Sequence, residues 1–228
     1  MTDLPLPTRV ANLSDDVLDR LREAILQGLY VPGQRLVEAD LVTDFTASRG
    51  PVREAIRRLA AEGVIELIPN RGAVVRKLSL KGLSDVFRMR EALEGLAARL
   101  AAEQLAQPAK RDAFAKAVAA IGLNQIENID IHFGEANKQL HQLIVDFADN
   151  DQLSITLRQL RLPLVRLQIR AAIDAEYRIQ SAREHDEVVA ALLAADPDAA
   201  ENAMRRHLNA AGKRILFLAE QEKNRLAA

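Results

Sequence analysis

Two groups of residues are spaced for chemistry. Arg49, Arg53 and Arg57 recur every four residues, with Arg58 beside the last. On a helix that spacing gathers guanidinium groups on one face. Their planar donor forks suit phosphate oxygens and base edges in a DNA major groove. The same pattern also describes an ordinary solvated helix surface. The second group is His132, His141, His185 and His207, with Asn137 four residues ahead of His141 on the same helical face. Three histidines from three helices, turned into one core, can hold a divalent metal with an open position. A lone helical histidine is more often a surface or satisfied core residue, and spacing alone does not separate the two.

The arginines need a helix with a buried opposite face, and Ser48–Gly63 supplies one. Val52, Ala55, Ile56 and Leu59 form the apolar stripe. Ser48 is placed to cap the first turn with its hydroxyl. Pro51 falls where a missing N–H costs little, and Gly63 is a left-handed stop. Ahead of it, Val17, Leu18, Leu21, Ile25 and Leu26 predict a helix over about 14–27, capped by Ser14 and ended by Gly28. Val31-Pro32-Gly33-Gln34 reads as a turn. A short helix follows over about 37–45, and Thr46-Ala47 connects it tightly to the arginine helix. This is a helix-turn-helix arrangement. Val64–Ile68 and Ala73–Arg76 read as a strand and its return, with Pro69-Asn70-Arg71-Gly72 as the turn. Such a hairpin is a wing, where Arg71 can reach a phosphate or minor groove and Gly72 lets the backbone come close.

Bulk properties narrow the class. The 228 residues are 49% hydrophobic, 28% charged and 4% aromatic, with no tryptophan. That is the composition of a soluble, mainly helical chain. No apolar run reaches membrane-spanning length, and residues 1–12 read as a flexible polar tail without a signal-peptide core. Zero cysteines exclude disulfides and thiolate metal sites and fit a cytoplasmic protein. Net charge is only −1, but Ser48–Lys77 carries seven basic residues against three acidic ones, a net of +4. A local basic patch on an acidic remainder favours a site-specific binder over a non-specific coater.

The domain boundaries expected are 13–78 for the winged head, 79–83 for a linker with Ser79 or Ser84 capping the next helix, and 84–224 for an all-helical unit. Its helices are expected at about 84–106, 108–122, 128–149, 151–173, 175–195 and 197–224, broken by Pro108, Gly122, Asp149–Asp151 and Asp196-Pro197. Val86, Met89, Leu93, Leu96, Ala97 and Leu100 are expected to face inward from the first. Pro163 is expected to kink its helix. The fold is therefore mainly α: an N-terminal winged helix-turn-helix with a small β-hairpin wing, then an antiparallel bundle of about six helices.

These residues resemble a known family. Pro32-Gly33-x-x-Leu36, Ser48-Arg49-x-Pro51-Val52-Arg53-Glu54-Ala55, Leu59-x-x-Glu62-Gly63 and Arg71-Gly72 resemble the reader head of the GntR transcription regulators. Arg90-x-x-x-Glu94, Asn137-x-x-x-His141, Arg178-x-x-Ser181-x-x-Glu184-His185 and His207 are similar to the FCD effector domain of the FadR-type subfamily. The resemblance implies operator contacts for Arg49 and Arg53. It implies a divalent metal, zinc or nickel, held by Asn137, His141, His185 and His207. It implies a small organic acid as effector, with Arg90 and Arg178 as candidate carboxylate contacts. Their plain alternative is a salt bridge to Glu94 or Glu184. His132 lies outside the motif. Three departures stand out. Gly50 sits where threonine is common, Phe45-Thr46-Ala47 replaces a Leu-Gly-Val turn, and Asn137 replaces an aspartate.

The reading is a homodimeric, effector-responsive transcription regulator, leaning to repressor, that binds palindromic double-stranded operator DNA and no membrane. Ser48, Gly50, Arg57, Arg71 and Gly72 join Arg49 and Arg53 at the DNA face. The rivals are a metal-dependent enzyme acting on a small organic acid and a DNA-binding dimer with a purely structural bundle. The first lacks a convincing general base, Glu184 being the nearest candidate.

Overall fold

The computed structural model describes residues 13–122, 129–160 and 174–227. The tail expected at 1–12 and the kink at Pro163 lie outside them. The chain divides into two compact units, with a boundary between Leu78 and Ser79.

The first unit contains α1 (Leu13–Leu26), β1 (Arg35–Leu36), α2 (Glu38–Asp44), α3 (Arg49–Ala61), β2 (Ile65–Ile68) and β3 (Gly72–Val75). The strands form an antiparallel sheet in the order β1-β3-β2, with Ile65 opposite Val75 and Ile68 opposite Gly72. Val17, Leu21 and Ile25 of α1 share one core with Leu41, Phe45, Val52, Ala55, Ile56, Leu59, Ile65 and Val75. The apolar stripes of α1 and α3 are thus buried as their spacing requires.

Two local expectations need correction, and the structure adds two details. Ser48 is the N-cap of α3 by position, but its side chain makes no capping hydrogen bond. Ser14 lies inside the first turn of α1 instead of capping it. Residues 35 and 36 form a strand paired with Val74 and Ala73. Two residues are too short to show a period-two pattern. At the wing tip, Pro69 is followed by Asn70 at φ 62°, and Arg71 N–H donates to Ile68 O at 3.0 Å. Proline then positive φ is the signature of a type II turn.

The tight turn between α2 and α3 holds Thr46 at φ 51°. A β-branched residue in the left-handed region is costly, on the order of 1–2 kcal/mol. Thr46 is exposed, so its side chain gains no burial in return. Thr46→Gly is therefore expected to stabilise the protein by about 1 kcal/mol, after allowing for glycine's greater freedom when unfolded. Denaturant melts of the two proteins measure it, and a loss of stability would show that the turn is not strained.

The second unit contains α4 (Leu80–Leu105), α5 (Pro108–Ile121), α6 (Ile129–Phe147), α7 (Asp151–Gln159), α8 (Ala175–Leu193) and α9 (Pro197–Ala227). They form the antiparallel helical bundle. Residues 79–83 are not a linker. Ser79 Oγ accepts the Gly82 N–H at 3.0 Å, so α4 starts at Leu80 and Ser84 is one turn inside it. Asn150, Asp174 and Asp196 cap in the same way, accepting N–H groups of Leu153, Tyr177 and Ala199 at 3.0, 2.8 and 3.0 Å. Gly122, at φ 69°, closes α5.

The buried face of α4 matches the expected one in part: Ala97 is buried, and Leu93 and Leu100 pack against the core. Met89 and Leu96 are exposed at 48% and 38%, and Val86, Leu93 and Leu100 are half-buried. The inward residues are Leu83, Phe87, Glu94, Ala97, Ala98, Ala101, Ala102 and Leu105. An alanine seam carries little hydrophobic signal in sequence, so the larger side chains of the other face dominate the pattern. This seam lets α9 come close, with Ala200, Ala203, Met204 and Leu208 in the same core as Phe114, Leu140, Ile144, Val188 and Leu192.

Candidate DNA face and histidine centre

In the first unit, α3 presents Arg49, Gly50, Arg53 and Arg57 to solvent, with Ser48 exposed just before it. Arg53 is not idle. Its Nε donates to Glu38 Oε2 of α2 at 2.7 Å, both side chains remaining about half exposed. Arg58 turns away to Asp15 of α1 at 2.5 Å, so it ties α3 to α1 instead of joining the arginine face. Among the described residues, Arg49, Arg57 and Arg71 have no acidic partner. Arg71 and Gly72 are exposed at the wing tip, and Gly72 has φ 80°. A Cβ built on Gly50 meets nothing within 4 Å. The missing side chain there is no packing requirement, so its effect falls on whatever approaches the helix.

In the second unit, three of the expected ligands come together. His141 (α6), His185 (α8) and His207 (α9) are each at most 5% exposed. His185 Nε2 lies 3.3 Å from His141 Nε2 and 3.2 Å from His207 Nε2. Two imidazoles on one zinc, with Zn–N near 2.0–2.1 Å, place their nitrogens about 3.3 Å apart at a tetrahedral angle. The donor set and its spacing therefore fit a divalent cation. Asn137 is half-buried one turn before His141. The side chain of His132 lies outside the described ones.

Two carboxylates back the rings. Glu94 of α4, 3% exposed, accepts from His141 Nδ1 and, at 2.6 Å, from Arg90 Nε. Burial pushes its pKa up, but the Arg90 charge and His141 win, holding it below the usual carboxylate range. Glu184 accepts from His207 Nδ1 at 2.8 Å and from Gln180 Nε2 at 3.0 Å. Its partial burial raises the pKa, and those bonds more than offset it. Burial keeps His141 and His185 neutral, lowering both. Glu94 opposes this at His141, whereas the neighbouring rings reinforce it at His185. Neutral imidazole is the form that binds metal. His185 Nδ1 is buried without a partner.

Of the two effector candidates, Arg90 is occupied by Glu94 and lies over the Phe87 ring at 5.3 Å. Arg178 is half-buried in the first turn of α8. A 490 Å³ cavity lies between α8 and α9, and its described walls include Tyr177, Ser181, Arg183, Glu184, Ala211 and Arg214. Glu184 thus joins the cavity wall to the histidine centre. Ser181 is 2% exposed and its Oγ has no partner. Arg214 donates to Asp174 at 2.8 Å and Glu176 at 3.3 Å. Sequence reasoning missed Arg214 and Glu38. Neither lies in a motif, and each meets its partner only through packing.

A winged head with an arginine-faced third helix, followed by an all-helical unit, is the architecture of a DNA-binding regulator. Residues 13–75 match the family described as "Bacterial regulatory proteins, gntR family", and residues 85–210 match the FCD domain. The chain belongs to the GntR family of transcription regulators, in its FCD-bearing branch. It is 30% identical over 206 residues to the "HTH-type transcriptional repressor RspR" of Escherichia coli K12, covering 89% of this chain and 87% of that one. It is 32% identical over 202 residues to the "Probable D-xylose utilization operon transcriptional repressor" of Paenarthrobacter nicotinovorans, covering 87% and 86%. The fold matches the solved structure of E. coli McbR/YncC with a TM-score of 0.72, at 22% identity, covering 94% of this chain and all of the other. Among the described residues, no helix is long and apolar enough to cross a membrane.

Proposed function

We propose that this GntR regulator is a cytoplasmic, homodimeric repressor whose grip on a palindromic operator is set by a small organic acid bound in the 79–224 unit. Arg49 and Arg53 contact operator bases and phosphates. Ser48, Gly50, Arg57, Arg71 and Gly72 line the DNA approach. Exposed Met89 and Leu96, one heptad apart on α4, support a self-association face. The repressor reading follows the names of the two relatives.

The observation that carries the effector half is the convergence of three buried imidazole Nε2 atoms from three helices. With Asn137 as the fourth donor, they would hold zinc or nickel. A bound metal supplies a Lewis-acidic contact for an anionic oxygen. Asn137 brings no negative charge where an aspartate would, leaving the centre more receptive to an anion. Arg178 and the cavity residues Arg214 and Ser181 are the groups we assign to an effector carboxylate and hydroxyl. Arg90 acts through Glu94.

Thermal melts and operator mobility shifts, run with sugar acids, dicarboxylates and short hydroxy acids in the presence of zinc, test this. One acid class is expected to raise the melting temperature by several degrees and to change operator affinity. If none moves either readout, the helical unit is a dimerisation scaffold and the effector reading is wrong.

A further inference from the structure

The turn between α2 and α3 is strained at Thr46, which holds φ 51° while exposed, and it is braced from α1. Within the turn, Thr46 N–H donates to Thr43 O at 3.2 Å and Ala47 N–H to Val42 O at 3.1 Å. α2 has seven residues, with Glu38 and Asp40 in its first turn and no basic residue in its last. The negative end of its dipole therefore has no cation of its own. Arg20 of α1 supplies one. Its Nη1 donates at 3.2 Å to Phe45 O, the carbonyl of the C-cap residue. Its guanidinium carbon lies 5.2 Å from the centroid of the Phe45 ring. Asp16, one turn earlier on α1, accepts from the same Nη1 at 3.2 Å, so the guanidinium is anchored before it reaches the turn. Tyr30, just after α1, adds a second brace. Its hydroxyl donates to Asp44 Oδ2 at 2.8 Å, and its ring centroid lies 6.4 Å from that of Phe45. Arg49, the first residue of α3, follows three residues after Thr46. A change of backbone conformation at Thr46 therefore moves first the end of α3 that carries Arg49.

We propose that Arg20 is a positioning residue for DNA reading. By holding the carbonyl and the ring of Phe45, it keeps Thr46 in its left-handed conformation and so sets where Arg49 meets the groove. The proposal rests on α3 being the reading helix. Arg20 acts through the turn and not on the DNA. Arg20→Met keeps an apolar stem against Phe45 but removes the bond and the charge. Thr46 then relaxes toward right-handed backbone, and the start of α3 shifts with it. Glycine at position 46 holds the left-handed conformation without strain. A chain carrying Thr46→Gly therefore depends far less on Arg20, and the two positions are coupled although their side chains play different parts.

The probe is a DNA duplex enriched from a random pool by the full wild-type chain. Its affinity for wild type, Arg20→Met, Thr46→Gly and the double variant is measured by fluorescence anisotropy across a range of salt, beside thermal melts. Arg20→Met is expected to bind about 10-fold more weakly, Thr46→Gly within about 2-fold of wild type, and the double variant within about 3-fold. The logarithmic salt slope of Arg20→Met should equal that of wild type. A slope shallower by about one means that Arg20 meets a phosphate itself, and overturns the proposal. A loss that Thr46→Gly does not restore overturns it too. A purely stabilising role would lower the melting temperature and leave the affinity of the folded chain unchanged, which is equally fatal. Should wild type enrich no duplex, or should Arg49→Ala with Arg53→Ala bind as wild type does, the reading of α3 itself fails and the proposal goes with it.

Discussion

Replacing Arg49 and Arg53 together by alanine is expected to abolish operator binding at moderate salt while leaving the protein folded. Each well-formed arginine–base contact contributes about 1–3 kcal/mol of discrimination, so the pair should cost about 2–6 kcal/mol. Little of the fold is at risk. Both side chains are exposed, and the Arg53–Glu38 pair is a surface ion pair worth at most about 1 kcal/mol. The core beneath α3 rests on Val52, Ala55, Ile56 and Leu59, which the change does not touch. Fluorescence anisotropy on labelled operator at fixed salt, beside a circular dichroism melt, separates the two effects. Operator binding that survives in a folded double variant would remove α3 from the reading head.

The second large effect concerns the histidine centre. Zinc held at one hundred times its dissociation constant adds about 2.7 kcal/mol to stability. In a chain of this size that raises the melting temperature by about 5–10 °C. His185→Ala should erase the rise and the zinc content together. It is the cleanest of the three to remove, since no carboxylate depends on its Nδ1. His141→Ala, by contrast, takes from buried Glu94 one of its two partners and should also weaken the zinc-free protein, by about 1–3 kcal/mol. Elemental analysis and calorimetry on wild type and His185→Ala provide the comparison. A zinc-dependent rise retained by His185→Ala would mean the cation sits elsewhere.

The head was largely readable from its sequence. Val52, Ala55, Ile56 and Leu59 repeat at helical spacing, Gly63 ends the helix, and the β-branched run after it changes period. What escaped there was non-periodic: the two-residue strand at 35–36, whose identity comes only from pairing with β3, and the Arg53–Glu38 bond. The bundle was readable at its breakers, because Pro108, Gly122, Asn150 and Pro197 are local signals. Its inward faces were less so. Met89 and Leu96 drew attention, whereas the seam of Ala97, Ala98, Ala101 and Ala102 is buried and weakly apolar. At the site, His141, His185, His207, Glu94 and Glu184 all stood in motifs, but the contacts of the two glutamates with His141 and His207 could not be read. Glu94 is 47 residues from His141, and Glu184 is 23 from His207. No local pattern links residues that only a packed bundle brings into contact.

The bond between Glu38 and Arg53 bears on how DNA binding responds to ionic strength. A phosphate approaching Arg53 displaces a carboxylate already in place. The glutamate must then take up cations from solution, as the phosphate sheds its own. Arg49, with no such internal counterion, sheds DNA-bound cations without that return. Of the ions released when α3 docks, Arg53 should therefore account for fewer than one, and the logarithmic salt slope should be shallower than a count of α3 arginines suggests. Glu38 thereby moderates loose attachment to bulk DNA and leaves discrimination to contacts that recover the displaced bond.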